Sequence, residues 1–231
     1  MPDTLIIIPV LNEALSLPYV LSEISGFKDL DILVVDDAST DSSVKVCHEY
    51  GVKILPLKIS LGAWGATQAG MRYALMHGYD SIITMDGDGQ HHGFDIPKLL
   101  IAAKQQPDAA VVIGESVSRG SYLRHIAWRF FRIITGIGIE DITSGFRLYR
   151  HRAIELLTNK GATLLDYQDV GVLLMLKSAG LKVVETRVST TKRLHGKSHL
   201  FSTWIKVGHY MIITTILAIS KYRVKGIYNK E

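Results

Sequence analysis

The chain has 231 residues, 47% hydrophobic and 21% charged, with only 6 prolines, enough apolar material for one full-sized core; disordered and collagen-like classes are excluded. Its single cysteine, Cys47, excludes an internal disulfide and a thiolate metal cluster and fits a reducing, cytoplasmic setting. A formal net charge of +4 and a pI near 9.0 suit anionic partners such as phosphates or a membrane surface, but the charge is too dispersed for a nucleic-acid binder.

In chain order, residues 5–9, 32–36, 52–57, 81–85 and 109–113 are short runs rich in Ile, Val and Leu that end in turn or acidic residues, the pattern of buried parallel strands. Between them, residues 14–25, 41–50, 64–77 and 96–105 are long enough for helices, several opened by Ser, Thr or Asp. This alternation predicts a doubly wound sheet with helices on both faces, whose ligands sit beyond the carboxyl ends of the strands. The first apolar run is strand-sized, so no secretion signal is expected. After residue 114 the rhythm changes to a basic segment (118–132), a strand at 145–149, a helix around 168–178 and a strand at 183–188. A polar loop at 190–199 then leads to an apolar C-terminal helix. The longest uncharged run there, residues 207–220, is shorter than the roughly 20 residues of a bilayer-spanning helix, so no membrane span is expected.

Three strand ends carry the chemistry. Asp86-Gly87-Asp88-Gly89-Gln90-His91 sets two carboxylates and an amide oxygen behind the fourth strand, hard oxygen ligands suited to Mg²⁺ or Mn²⁺ with a diphosphate; the other reading is an acidic surface turn. Asp36-Asp37-Ala38-Ser39-Thr40-Asp41 ends the second strand, and its carboxylates can accept from ribose or base; Ser39 or Asp41 serves equally as a helix cap. Pro9-Val10-Leu11-Asn12-Glu13 follows the first strand with an amide and a carboxylate. His91 and His92 are left out of the metal set, because a diphosphate-bound hard ion prefers oxygen. Cys47 is read as packing.

In this order the segments IIIPVLNE, ILVVDDASTD, ITMDGDGQH, DITSGFRLYRH and RLHGKS resemble glycosyltransferase family 2, and more closely its polyprenyl-phosphate mannosyl- and glucosyltransferase branch, from about residue 5 to about residue 198. The resemblance implies a GT-A fold, a Rossmann-like, mostly parallel α/β sheet, moving a sugar from a nucleotide donor with inversion. It implies that Pro9, Leu11, Asn12, Glu13, Asp37 and Asp86 line the nucleotide site, and that Asp86, Asp88 and Gln90 hold Mg²⁺ or Mn²⁺. Asp88 and Asp169 are the candidate catalytic carboxylates, Asp169 for acceptor activation or as a charge at a helix N-terminus. Ser144, Arg147, Arg124, Arg193 and Ser198 are assigned to acceptor or phosphate binding, Arg147 with the alternative of holding the fold.

Three positions depart from the family pattern: Glu140, where an arginine is frequent, and His199 and Trp64, where basic residues are. All three lower the local positive charge; Arg119, Arg124, Arg129 and Arg132 can restore it, or at least two of them form a solvated or membrane-facing basic surface. The expected domains are a catalytic unit at 1–199 and an interfacial or dimerisation helix with a basic tail at 200–231, where Phe201 and Trp204 are flanked by Lys206, Lys221, Arg223 and Lys225. The expected partners are a nucleotide-sugar donor, a lipid-phosphate or glycan acceptor, the inner face of the membrane and, in the dimerisation reading, a second copy; nucleic acid is not among them. A receiver-like or silent nucleotide-binding protein is the reading from another class.

Overall fold

The structure, a computed structural model, describes residues 3–116, 138–163, 170–191 and 193. Its first half alternates β1 (Thr4–Val10), α1 (Leu17–Ile24), β2 (Asp31–Asp36), α2 (Ser43–Glu49), β3 (Lys53–Pro56), α3 (Gly62–Met76) and β4 (Ser81–Thr84). A single 3-10 turn at Gly93–Asp95 leads into α4 (Ile96–Gln105) and β5 (Ala109–Glu115). Then come β6 (Arg147–Arg150), α5 (His151–Leu157), the short α6 (Lys160–Thr163), α7 (Val170–Ser178) and β7 (Lys182–Arg187). The expected strands are all present within a few residues. Helices α5 and α6 are additions, and the apolar spacing of Ala153, Ile154 and Leu157 on α5 is the signal that betrays it.

The seven strands form one sheet in the order β3-β2-β1-β4-β6-β5-β7. All neighbours are parallel except β6, which runs antiparallel to both β4 and β5. The pleat sorts β1 between two cores: Leu5 and Ile7 join one, Ile6, Ile8 and Val10 the other. The first core is closed by Met71 and Ala74 of α3, Ile154 and Leu157 of α5 and Leu173 and Leu176 of α7. The second is closed by Val20 and Ile24 of α1, Cys47 of α2 and Leu99 of α4. Cys47 is thus a packing residue whose thiol burial pushes its pKa up to about 11, which leaves it inert.

Helix α3 lies close enough to the sheet that Gly70 has no room for a side chain. A Cβ there would stand 2.6 Å from Ile7 Cγ2 and 3.2 Å from Val35 Cγ2, both on stiff β-branched side chains of the core. In an open helix Gly→Ala gains about 1 kcal/mol. At this position overpacking reverses the sign, and Gly70→Ala is expected to lose about 1–2 kcal/mol net, read from the urea midpoint.

Candidate active site

Strand order places the cleft. β1 and β2 are linked through α1 on one face of the sheet, whereas the chain reaches β4 through α3 on the other, so the connections diverge between β1 and β4. At such a switch point the loops beyond the strand ends part and leave a crevice. The loops after β1, β2 and β4 carry Asn12 and Glu13, Asp37, and Asp86 and Asp88.

The β1 and β2 loops are stapled together by the motif residues themselves. Asn12 sits in the left-handed region (φ 57), which turns its Oδ1 toward the Thr40 N–H at 2.8 Å and the Asp41 N–H at 3.3 Å, while its own N–H donates to Ser39 Oγ at 3.0 Å. Asp41 Oδ2 accepts the Ala14 N–H (3.0 Å), and its Oδ1 accepts the N–H (2.9 Å) and hydroxyl (2.6 Å) of Ser43 at the start of α2. Burial alone would push the Asp41 carboxyl up, but these hydrogen bonds outweigh it and hold it below the usual value. Asn12 and Asp41 therefore join the two loops into one wall, and Leu11, next to Asn12, is exposed. Pro9 is partly exposed in β1, beside Val35 of β2.

Asp37 is buried and already employed. Its carboxylate accepts the Leu61 N–H at 2.6 Å, the Gly62 N–H at 3.0 Å and the Ser60 hydroxyl at 2.7 Å, tying the β2 end to the start of α3. That uses three of the roughly four acceptor positions of a carboxylate. Trp64, one turn into α3, is buried and donates its Nε1–H to the Ala162 carbonyl at 2.9 Å. It faces the core.

Behind β4, Asp88 Oδ1 accepts the Gln90 N–H at 3.0 Å, which closes the acidic turn. Asp86 lies against the backbone of Gly145, where a Cβ would stand 2.7 Å from Oδ2, and His91 Nε2 lies 3.7 Å from the same oxygen. His91 is buried and stacks on Phe146 with ring centroids 5.3 Å apart, in keeping with a supporting role. Among the described residues no three His, Cys, Asp or Glu side chains form a ready-made cation cage. The donor set nevertheless fits a hard divalent ion, which takes one or two carboxylates and completes its shell with phosphate and water. Arg193 already stands in with positive charge, bonded to Glu13 Oε1 and 3.9 Å from Asp88 Oδ2.

The segment 140–147 forms the other wall, and it carries Ser144 and Arg147. Both are fully buried. Arg147 donates from Nε to the Ser144 carbonyl (2.7 Å) and from Nη2 to the Ile142 carbonyl (2.9 Å), so two of its guanidinium nitrogens hold the loop, as the fold-holding alternative expects. Ser144 Oγ accepts the Phe146 N–H at 3.3 Å. From the opposite side Glu185 of β7 accepts the N–H groups of Glu140 (2.9 Å) and Asp141 (3.0 Å), a role that no local motif announces.

Glu115, Glu140 and Glu185 thereby crowd the ends of β5 and β7. Burial, then the Glu185 charge and a hydrogen bond with Glu140, raise the Glu115 pKa above the ordinary carboxylate value, and burial raises that of Glu185. A raised folded-state pKa means stability present below the unfolded value and lost as pH climbs through the folded one. Glu115→Gln is therefore expected to gain about 2–4 °C in Tm at pH 8, the shift of a change near 1 kcal/mol in a domain of this size, and nothing at pH 4.

Asp169, Arg124, Ser198, the other basic residues of 118–132, His199 and the C-terminal segment lie outside the described residues. A separate cavity of about 310 Å³, lined by Leu21, Phe27, Leu30 and Tyr50, contains none of the candidate site residues. Among the described residues no helix is long and apolar enough to cross a membrane.

Solved structures share this architecture. Glucosyl-3-phosphoglycerate synthase from Mycobacterium tuberculosis, in complex with Mn²⁺, uridine diphosphate and phosphoglyceric acid, superposes with a TM-score of 0.72 at 17% identity over 94% of this chain and 78% of that one. The fold is thus that of the GT-A-like glycosyltransferases. Residues 5–159 match the family model of glycosyl transferase family 2, and the chain belongs to that family. It is 33% identical to undecaprenyl-phosphate mannosyltransferase of Micrococcus luteus over 85% of this chain and 86% of the relative. It is 28% identical to polyprenol monophosphomannose synthase of Mycolicibacterium smegmatis, over 90% and 85%. A dolichyl-phosphate beta-glucosyltransferase of Drosophila melanogaster is 26% identical over 98% and 78%. The chain is a glycosyltransferase whose relatives include the polyprenyl-phosphate branch.

Proposed function

We propose that the protein transfers a sugar, with inversion and with the help of Mg²⁺ or Mn²⁺, from a nucleotide-sugar donor to a polyprenyl phosphate at the inner face of the membrane. The observation that carries this reading is the convergence of the β1, β2 and β4 loops at one switch point, with Glu13 and Asp88 bridged by a single guanidinium. The names of the relatives in the polyprenyl-phosphate branch support the acceptor class. Residues 1–199 would be the catalytic unit, and 200–231 an interfacial or dimerisation segment.

In this reading the wall built by Asn12 and Asp41 shapes the nucleoside pocket, and the remaining acceptor position of Asp37 takes a ribose or base donor. Asp86 and Asp88, with Gln90, would hold the divalent ion, which neutralises the departing diphosphate. Asp88 is fixed by the Gln90 N–H, and Asp86 is fixed by the close backbone of Gly145, so neither carboxylate must reorganise as charge builds. Arg193 supplies a planar, bidentate donor suited to phosphate oxygens. An acceptor phosphate is an anion at neutral pH and attacks without a base; Asp169 becomes essential only when the acceptor is a hydroxyl.

A sugar hydroxyl on a growing glycan is the second acceptor class, favoured by one observation. Glu115, Glu140 and Glu185 put carboxylates beside the 140–147 wall, where an anionic acceptor is repelled. Calorimetry with a panel of nucleotide sugars and Mn²⁺ or Mg²⁺, followed by transfer assays with polyprenyl phosphates and with glycans, tests both. Metal-dependent donor binding and transfer to polyprenyl phosphate support the first reading. Transfer to glycan alone replaces it with the second, and no donor binding removes both.

A further inference from the structure

We infer that Arg193 is a positioning residue that competes with the divalent ion for Asp88 and is released to the diphosphate, so that metal and nucleotide bind as a coupled pair; the inference rests on the glycosyltransferase reading above. Arg193 touches both sides of the cleft at once. Its Nη2 donates to Glu13 Oε1 on the β1 loop, and its Nε lies 3.9 Å from Asp88 Oδ2 in the β4 turn. The side chains of Glu13 and Asp88 are each only 12% exposed, so both charges have lost most of their water and need a counter-charge.

The tether of Arg193 keeps it there. Two residues earlier, Thr191 donates its N–H to the Gln90 carbonyl at 3.1 Å and its hydroxyl to the Gly89 carbonyl at 3.3 Å, and Thr190 pairs with His91 across an antiparallel bridge. The root of the polar loop is therefore fastened to the acidic turn itself. Two residues reach at most about 7 Å, so the backbone of Arg193 stays beside the acidic turn.

The consequence is an exchange. A divalent ion approaching Asp88 alone meets a carboxylate already near a cation and is repelled by the guanidinium. A diphosphate offers Arg193 a better acceptor, in bidentate geometry, and its departure from Glu13 and Asp88 frees the carboxylate for the ion. Each ligand removes the obstacle to the other, and the coupling is reciprocal.

The test is calorimetry on the full chain and its Arg193→Gln variant, with Mn²⁺ alone and with Mn²⁺ at saturating UDP or GDP. In Arg193→Gln the affinity for Mn²⁺ alone is expected to rise by about fivefold or more, while the affinity for Mn²⁺ in the presence of nucleotide falls, the lower end of ordinary coupling factors. Arg193→Lys keeps the charge and should retain the weak binding of Mn²⁺ alone. A purely structural role would lower both affinities together, so the opposite signs are diagnostic. Mn²⁺ binding alone that is unchanged or weakened in Arg193→Gln overturns the inference while leaving the functional reading intact. If the unmodified chain binds neither nucleotide with Mn²⁺, the functional reading falls and takes the exchange with it.

Discussion

Asp88→Asn is expected to lower turnover by about 10²–10³-fold, the scale of losing one preorganised charge contact to a developing transition state. The substitution is chosen for what it preserves. Asp88 Oδ1 accepts the Gln90 N–H at 3.0 Å, and an amide carbonyl can keep that bond, so the acidic turn retains its shape. Only the second oxygen changes, from an anion facing Arg193 to an amide NH₂ that repels both the guanidinium and a divalent ion. The reading assigns Asp88 to the cation that stabilises the leaving diphosphate, so the loss should fall on kcat and on the Mn²⁺ dependence together. Initial rates across a Mn²⁺ titration measure both. A variant within about threefold of the unmodified chain at every Mn²⁺ concentration would remove Asp88 from the machinery, since a lost oxyanion contact costs far more.

Much of this architecture is legible in the residues because buried parallel strands announce themselves. Ile6, Ile7 and Ile8 in β1 and Leu33, Val34 and Val35 in β2 are apolar on both faces, which only a sheet covered on both sides requires. The direction of β6 is not legible. Its buried residues Leu148 and Tyr149 would suit a parallel strand equally, and only the pairing with Ile82 and Ile83 on one side and Val111 and Val112 on the other shows that it runs backward. The acidic motifs were readable as a set because strand ends bring them to one edge. What each carboxylate does there depends on donors far away in sequence: Asp37 answers to residues 60–62 and Asp41 to Ala14. Arg147 depends on its surroundings in the same way. A basic residue in such a motif invites a phosphate ligand, yet its Nε and Nη2 donate to carbonyls three and five residues earlier in a loop whose shape the sequence does not state. Glu185 carries no motif at all, and its part in holding residues 140 and 141 emerges only when β7 is seen beside β5.

Gly145→Ala is the sharper test of how the cleft is built, because it adds one methyl group and removes no functional atom. A Cβ at this position would stand 2.7 Å from Asp86 Oδ2, 2.8 Å from Oδ1 and 3.0 Å from Cγ. Something must move, and the backbone is the stiffer partner. The Gly145 carbonyl accepts the Thr84 hydroxyl at 2.7 Å, and the neighbouring Ser144 carbonyl is held by Arg147 at 2.7 Å. The Asp86 side chain is partly exposed and is the more yielding partner of this contact, so the carboxylate should be pushed from its place beside Gly145. A displacement near 1 Å at a positioned group costs about 10²-fold in rate, and that is the expected loss in kcat/KM, with weaker Mn²⁺ binding in the presence of nucleotide. Gly138→Ala is the control, since a Cβ there meets nothing within 4 Å among the described residues. If Gly145→Ala unfolds the protein, the same contact can be relieved by pairing it with Asp86→Ala, which should restore the fold but not the activity. A Gly145→Ala protein that stays folded and binds Mn²⁺ and nucleotide like the unmodified chain would mean that Asp86 is not held by this wall, and the assignment of the 140–147 loop to the site would fail with it.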